Sequence, residues 1–485
     1  MKKKISELMD SVSEMVGVLL KLTDPVTAIE DCSVALDAIN AQLNKEENIP
    51  KKTTELIQNV QDSFNELLNN PNLINNDSVE NLSKQVNLLK ETFQEEIKAK
   101  LNVVFFPYKA SMWDSLATVY EAAVKDEDCV AHVVPIPYYQ LTQNDAIPTY
   151  EGDRFPKDVP ITHYSQYNLE EEQPDIIFVH NIYDNYNTLT RVYEEYFTSN
   201  LKKYTDMLVF VPYHVSSFTI REDARFLALS TPTVKYVDKI ILVNEYIKKI
   251  AIRNGISENK LLVLGSPKLD ALVHALKAEI SYPEEWRDKI VGKTVYLLNT
   301  GCLYFAKNPF LALEKLIDLF NIPRIVEDSI IMWRPHPLTE VSIKKYTPSF
   351  FDYYHNLTER YRKGNDKFYN GVILDENEDY IPALKAADVL ISGDGSLLRS
   401  FLLTEKKVMF WYDNLWDESL VARDTFYYVY NQSEPWYELV KMFDKGEDPL
   451  VENRKGVAAK AYVNTDGTAG IKIYNEIKKT VLDNQ

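Results

Sequence analysis

The chain has 485 residues, 45% of them hydrophobic, which is enough apolar material for two or three separate cores. Its formal charge of −18 argues against a general nucleic-acid binder, which needs a basic face, but leaves room for a local basic pocket. Three widely separated cysteines, Cys32, Cys129 and Cys302, predict neither a disulfide framework nor a zinc site, and no apolar run reaches transmembrane length.

Residues 1–100 carry one Gly, three Pro and no Tyr or Trp. Apolar residues recur at helical spacing in three runs: Ile5, Met9, Val12, Val16, Leu19 and Leu20; Leu56, Val60, Phe64, Leu67 and Leu68; and Val79, Leu82, Val86, Leu89 and Phe93. Breaks fall near Asp24-Pro25, Asn48-Ile49-Pro50 and Asn70-Pro71-Asn72. The pattern predicts a helical hairpin or small bundle, a packing or dimerisation appendage. Lys2, Lys3 and Lys4 raise a membrane-surface role, which Glu7, Asp10 and Glu14 on the polar face oppose.

From residue 101 short apolar strands alternate with helices. Strands are expected at Asn102–Phe106, Val130–Ile136, Ile176–Val179, Met207–Val211, Ile240–Asn244 and Leu261–Leu264, with an irregular Tyr- and Pro-rich loop from Pro137 to about Tyr167. A polar stretch, Ser281–Lys293, interrupts the pattern. It restarts with strands at Thr294–Asn299, Ser329–Trp333, Gly371–Leu374, Val389–Ile391 and Val408–Trp411, and a last helix at Gly470–Leu482. The expectation is an α/β fold of two successive halves, each a parallel sheet covered by helices.

The polar residues collect where strands end: His180, His214, Ser266-Pro267-Lys268, Thr300-Gly301, Arg334-Pro335-His336-Pro337 and Ser392-Gly393-Asp394-Gly395-Ser396. Ligands of open α/β sheets bind at such ends, and two facing halves would bring both sets to one cleft. His336 is held between two prolines beside an Arg, an arrangement suited to an anionic group; the plain alternative is a surface His in a turn. Small residues opening a helix at Ser396 suit phosphate but also make an ordinary turn. Asp394 reads equally as a ribose ligand or a helix cap, and Lys268 as a phosphate ligand or a solvated cation. His214 reads locally as a His satisfied within its turn, or as a general base for a hydroxyl. There is no Walker A loop and no GxGxxG.

Four stretches, in order, resemble the CDP-glycerol glycerophosphotransferases of teichoic-acid and capsule synthesis over about residues 100–480. Leu264-Gly265-Ser266-Pro267-Lys268-Leu269-Asp270-Ala271-Leu272 is similar to the family's Gly-x-Pro-Arg-x-Asp-x-Leu, and Arg334-Pro335-His336-Pro337 to its Arg-x-His-Pro. Ala387 to Ser396 is similar to its strand followed by Asp-Tyr-Ser-Ser, and Asn464-Thr465-Asp466-Gly467-Thr468-Ala469 to its Asp-Gly-x-x-Ser. The chain departs from the family at Tyr213-His214-Val215-Ser216-Ser217-Phe218, where Trp-His-Gly-Thr-Pro-Leu-Lys is usual, and at Gly395, where a Ser is usual.

The resemblance implies a GT-B pair of Rossmann-like domains: residues 101–285 on the acceptor side and 286–485 holding the nucleotide donor, the last helix packing back on the first domain, all preceded by the helices of 1–100. It implies transfer of glycerol phosphate, or a related alditol phosphate, from a CDP-linked donor to a hydroxyl of a glycan or lipid-linked acceptor, with release of CMP and no cofactor or metal. His214 and His336 would be catalytic. Arg334, Lys268, Ser392, Asp394, Gly395, Ser396, Thr300 and Gly301 would hold the donor, and His180, Tyr213 and Ser216 would face the acceptor. A cytoplasmic enzyme at the inner face of the plasma membrane is expected, with the N-terminal helices available for oligomerisation. The alternatives are a GT-B glycosyltransferase using a UDP- or CMP-sugar, and a degenerate GT-B scaffold in a cell-surface assembly complex.

Overall fold

Each apolar run of the first hundred residues forms a helix in the computed structural model, which describes residues 2–44, 50–96, 100–142, 144–220, 227–279, 281–363, 371–410, 418–429 and 435–483. The first compact unit, Met1–Leu101, is a four-helix bundle. Its helices are α1 (Lys2–Val18), α2 (Pro25–Leu43), α3 (Lys51–Asn69) and α4 (Asn76–Glu96), and contacts of α1 with α2, α2 with α3, α3 with α4 and α4 with α1 close the ring. The expected apolar positions make the core, except Leu20, which is exposed where a 3₁₀ turn follows α1. Start signals are local and distant. Asp24 caps α2 ahead of Pro25, accepting from the Thr27 N–H at 3.2 Å, whereas α3 is capped by Glu96 of α4, which accepts from the N–H groups of Lys52 and Thr53. Asn48 and Ile49, part of one expected break, lie outside the described residues.

The second unit, Asn102–Gln485, holds two six-stranded sheets. Its strands in chain order are β1 (Leu101–Phe106), β2 (Cys129–Val133), β3 (Tyr138–Leu141), β4 (Ala146–Thr149), β5 (Ile176–Val179), β6 (Thr190–Val192), β7 (Met207–Phe210), β8 (Thr219–Ile220), β9 (Lys239–Leu242), β10 (Leu261–Val263), β11 (Thr294–Thr300), β12 (Ser329–Pro335), β13 (Val372–Leu374), β14 (Val389–Ser392), β15 (Lys407–Phe410), β16 (Glu418–Ser419) and β17 (Tyr427–Tyr428). The first sheet runs β10-β9-β7-β5-β1-β2 and the second β13-β12-β11-β14-β15-β17. The second is wholly parallel. Strands such as Ile176–Val179 and Ile331–Trp333 are buried along their whole length, as sheets covered on both faces require.

Three expectations change. The stretch Pro137–Tyr167 is not wholly irregular, because β3 and β4 pair antiparallel and join β6 in a small third sheet. The polar stretch Ser281–Lys293 carries a helix, Glu284–Ile290, anchored by the fully buried Trp286. The strand expected to end at Trp411 is Lys407–Phe410, and Trp411 lies outside the described residues. A short antiparallel pair, β8 with β16, also links the two halves.

The last helix, Ala469–Leu482, packs on the first half against the helix Asp114–Val124. Gly470 makes the approach possible: a Cβ there would stand 2.1 Å from Thr118 Oγ1 and 2.6 Å from the Thr118 carbonyl carbon. Gly470→Ala is therefore expected to cost about 1–3 kcal/mol, as overpacking does, read as a lower urea midpoint with an unchanged slope.

Candidate functional site

Strand order reverses between β1 and β5 in the first sheet and between β11 and β14 in the second. Ligands of doubly wound sheets bind in the crevice beyond such a point. The ends concerned are Tyr108-Lys109 and His180 in one half, and Thr300-Gly301 and Ser392-Gly393-Asp394 in the other. Asn299 fixes the second set. It lies opposite both Arg334 and Ser392 in register, its amide donates to the Arg334 carbonyl at 3.1 Å, and its side-chain oxygen accepts from Ser392 Oγ at 3.2 Å.

His336 follows β12 and is half-buried. Its backbone N–H donates to the Thr300 carbonyl at 2.9 Å, and its Nδ1 accepts from the Leu338 N–H at 3.1 Å. With Nδ1 accepting, the neutral ring carries its proton on Nε2 and offers an N–H donor. Burial, then the charges of Lys109, Lys268 and Arg334, hold its pKa down to about 4. His214, four residues beyond the end of β7, is also half-buried. Among the described residues its ring nitrogens have no hydrogen-bond partner; its ring packs edge-on to Tyr213 at 5.4 Å. Burial, Arg399 and Lys268 lower its pKa to about 4. Lys268 thus acts electrostatically on both histidines.

A cavity of about 270 Å³ opens between the halves, lined by Arg334, His336, Lys109, Glu151 and others. Lys109 Nζ donates to Glu151 Oε1 and Tyr138 Oη, each at 2.9 Å, and the Ala110 N–H donates to Glu151 Oε2. Burial opposes ionisation of Glu151, but Lys109 and these donors hold its carboxyl below the usual range.

Several expected ligands have other roles. His180 is fully buried with both nitrogens engaged: Nε2 accepts from the Tyr108 N–H at 3.1 Å, and Nδ1 meets Ser115 Oγ at 3.0 Å. Ser115 gives its own proton to the Met112 carbonyl, so the ring is neutral and donates from Nδ1. It is a structural residue, not an acceptor ligand. Lys268 Nζ is paired with Asp114 at 2.8 Å and sits 4.2 Å from the Tyr380 ring centre, with Tyr380 Oη donating to the same carboxylate oxygen. Its charge is met by Asp114 within the first half, with Tyr380 of the second half closing over the pair, and is not offered to a phosphate. Arg334 is likewise paired with Asp375 and donates to the Asn377 carbonyl. Thr300 is fully buried, its hydroxyl accepting from Trp333 Nε1.

The Ser392–Ser396 loop faces the other half at close range. Val215 N–H donates to Ser396 Oγ at 3.3 Å, Ser217 Oγ to Asp394 Oδ2 at 3.3 Å, and Arg399 pairs with Asp394 while donating to the Val215 carbonyl. Ser216 is tied through its carbonyl to Tyr462 Oη. Asp394 is therefore a bridging acceptor here, not a helix cap. Gly395 precedes the helix Ser396–Phe401 in extended conformation, and Gly301 is exposed at the end of β11. Tyr213 packs among Tyr108, His180 and Tyr183. Lys109, Glu151, Asp114, Tyr380 and Arg399 escaped the sequence reading. Lys109 carries a legible signal, since it follows β1, while Glu151 sits in a loop 42 residues away with none. Among the described residues no group of three His, Cys, Asp or Glu side chains is placed to hold a metal, and no helix is long and apolar enough to cross a membrane.

No protein-family model matches the sequence, and no curated protein matches it. Solved structures do. One variant of the wall teichoic acid polymerase TagF aligns with a TM-score of 0.52 at 14% identity, covering 84% of this chain and 97% of that one. The fold is GT-B. A second TagF variant aligns at 0.51 and 15% identity over 88% and 98% of the two chains. A protein described as a UDP-N-acetylglucosamine 2-epimerase from Listeria monocytogenes aligns at 0.50 and 14% identity over 79% and 98%. The GT-B neighbours thus include a teichoic-acid polymerase and a sugar-nucleotide epimerase, and at these identities the likeness is one of fold.

Three histidines set a pH dependence. His180, His214 and His336 hold protons less tightly folded, at about 3, 4 and 4, than the ordinary 6.5. The unfolded chain binds more protons below pH 6.5, so their stabilisation is full above that pH and is lost as pH falls towards 4 and, for His180, 3. The melting temperature is expected to fall between pH 7 and 5, before most carboxylates titrate, and His180→Gln is expected to flatten that slope.

Proposed function

We propose that the protein transfers an alditol-phosphate unit, glycerol phosphate in the simplest case, from a CDP-linked donor to a hydroxyl group of a glycan or lipid-linked acceptor. The observation that carries the reading is a pair of strand-end histidines in complementary neutral states, both under the field of Lys268. His214 has a ring that no described residue engages in a hydrogen bond and that can take a proton, and His336 offers an Nε2–H donor. Four motifs in family order and the GT-B fold shared with TagF support the same reading.

In this reading the acceptor oxygen attacks the donor's β-phosphorus in line, and its proton passes to His214. The bond from that phosphorus to the bridging oxygen breaks, and CMP leaves with the bonding pair. His336 donates to a phosphoryl oxygen as charge develops there. Arg334, already neutralised by Asp375, keeps the wall under His336 rigid. The first half takes the acceptor and the second the nucleotide. No cofactor is needed, because the leaving nucleotide is part of the donor. A lipid-linked acceptor would bring the chain to the cytoplasmic face of the membrane.

His214→Ala is expected to lower kcat by about 10²–10⁴-fold, the usual weight of a general base. His336→Ala is expected to abolish CDP-glycerol binding measured by calorimetry, and CDP-glycerol binding unchanged in this variant would defeat the reading. The acid limb of kcat/KM is expected near pH 4, set by His214 in the free enzyme, with the limb of kcat higher because the bound anionic donor stabilises the imidazolium. The epimerase neighbour gives a second reading, a GT-B enzyme acting on a UDP-sugar; UDP-N-acetylglucosamine binding in preference to CDP-glycerol would select it.

A further inference from the structure

The cavity between the halves carries its charges in pairs. Lys109 meets Glu151 at 2.9 Å, Arg334 meets Asp375, and Arg154 meets Glu378. Arg362 forks onto both oxygens of Glu376 at 2.7 Å each and reaches Glu340 at 3.4 Å. All of these side chains line the cavity, so four cations face five carboxylates. Among the described residues an entering phosphate would find no uncompensated cation and a surplus of negative charge. The histidine on the same wall, His336, is neutral at pH 7.

Such a wall is well supplied with both kinds of hydrogen-bonding group. Paired carboxylates retain spare lone pairs, and paired guanidinium groups retain spare N–H groups. Gln140 adds an amide, and Ser111 Oγ is buried on the same wall without a hydrogen-bond partner among the described residues. Hydroxyl groups, each a donor and an acceptor at once, match that mixture; anions do not.

We propose that this cavity binds the uncharged, polyhydroxylated part of a substrate, an alditol or a sugar, and leaves the phosphate at its edge, beside His336. The assignment deepens the transferase reading and rests on it only for the place of the polyol in a reaction. Two substrates could supply the polyol, the donor's alditol or the acceptor's terminal unit, and their shared chemistry is a run of free hydroxyls.

The test uses the full chain and ribitol, followed by saturation-transfer NMR. Ribitol is expected to bind, inorganic phosphate is expected not to displace it, and Glu378→Gln and Gln140→Ala are each expected to weaken it about tenfold, the weight of one lost hydrogen bond. Should Glu378→Gln fail to fold, Gln140→Ala decides alone. Absence of a ribitol signal, a signal unchanged in the folded variants, or displacement by phosphate would overturn the proposal. Where ribitol binds as expected, displacement by CDP-glycerol assigns the cavity to the donor's alditol, and simultaneous binding assigns it to the acceptor. If CDP-glycerol does not bind at all, the transferase reading falls while the ribitol result stands on its own.

Discussion

One buried carboxylate ties the ends of the α/β unit together. Asp270, fully buried in the helix Pro267–Lys277, accepts from the Ala469 N–H at 3.1 Å, the Gly470 N–H at 2.7 Å and Thr118 Oγ1 at 3.1 Å. It caps the last helix from a position 199 residues earlier in the chain. Burial pushes its carboxyl up from the usual range, and the three donors oppose that shift. Without this contact the first turn of the C-terminal helix would bury two unpaired N–H groups against Thr118, a cost that buried polar groups rarely carry. The packing of the last helix on the first half depends on it.

This contact also explains two of the four family-like stretches. Residues 264–272 and 464–469 meet: Asn464 Nδ2 donates to the Leu264 carbonyl at 3.0 Å, and His274 Nε2 lies 3.1 Å from the Gly467 carbonyl. Gly265, at φ +92° with its missing Cβ 2.7 Å from the Val463 carbonyl, admits that approach as no other residue could. These stretches close the molecule, whereas Arg334-Pro335-His336-Pro337 and Ser392–Ser396 shape the cleft through Asn299. A shared motif order therefore mixes two physical roles, and Lys268 takes the first.

Charge in the cleft follows a single rule: cations are paired and histidines are neutral. Lys109, Arg334 and Lys268 each meet a carboxylate; burial with their fields keeps His336 deprotonated, and burial with Arg399 and Lys268 does the same for His214. A neutral His at a strand end can give or take a proton when an anionic substrate arrives, which an imidazolium already formed cannot do as a base.

Local pattern was enough for the elements. Apolar spacing of 3.6 marked α1, α3 and α4, and continuous apolar runs marked most of the parallel strands, because burying one face or both is a property of consecutive residues. The strand-end positions of His214, His336 and Ser392 were legible for the same reason. What each side chain does was not legible. Lys268 and Arg334 look alike in sequence to any basic residue near a phosphate, and only the folded chain sets Asp114 and Asp375 against them. His180 and His214 both follow apolar strands, yet one is locked by Ser115 and Tyr108 while the other has no hydrogen-bond partner among the described residues. Those partners come from residues tens to hundreds of positions away, and charge compensation, tautomer and burial are properties of the space they enclose. The sequence by itself determined the helices, the strands and the ends where chemistry gathers; the tertiary structure decided which of those groups remain unpaired, and so which are available to a substrate.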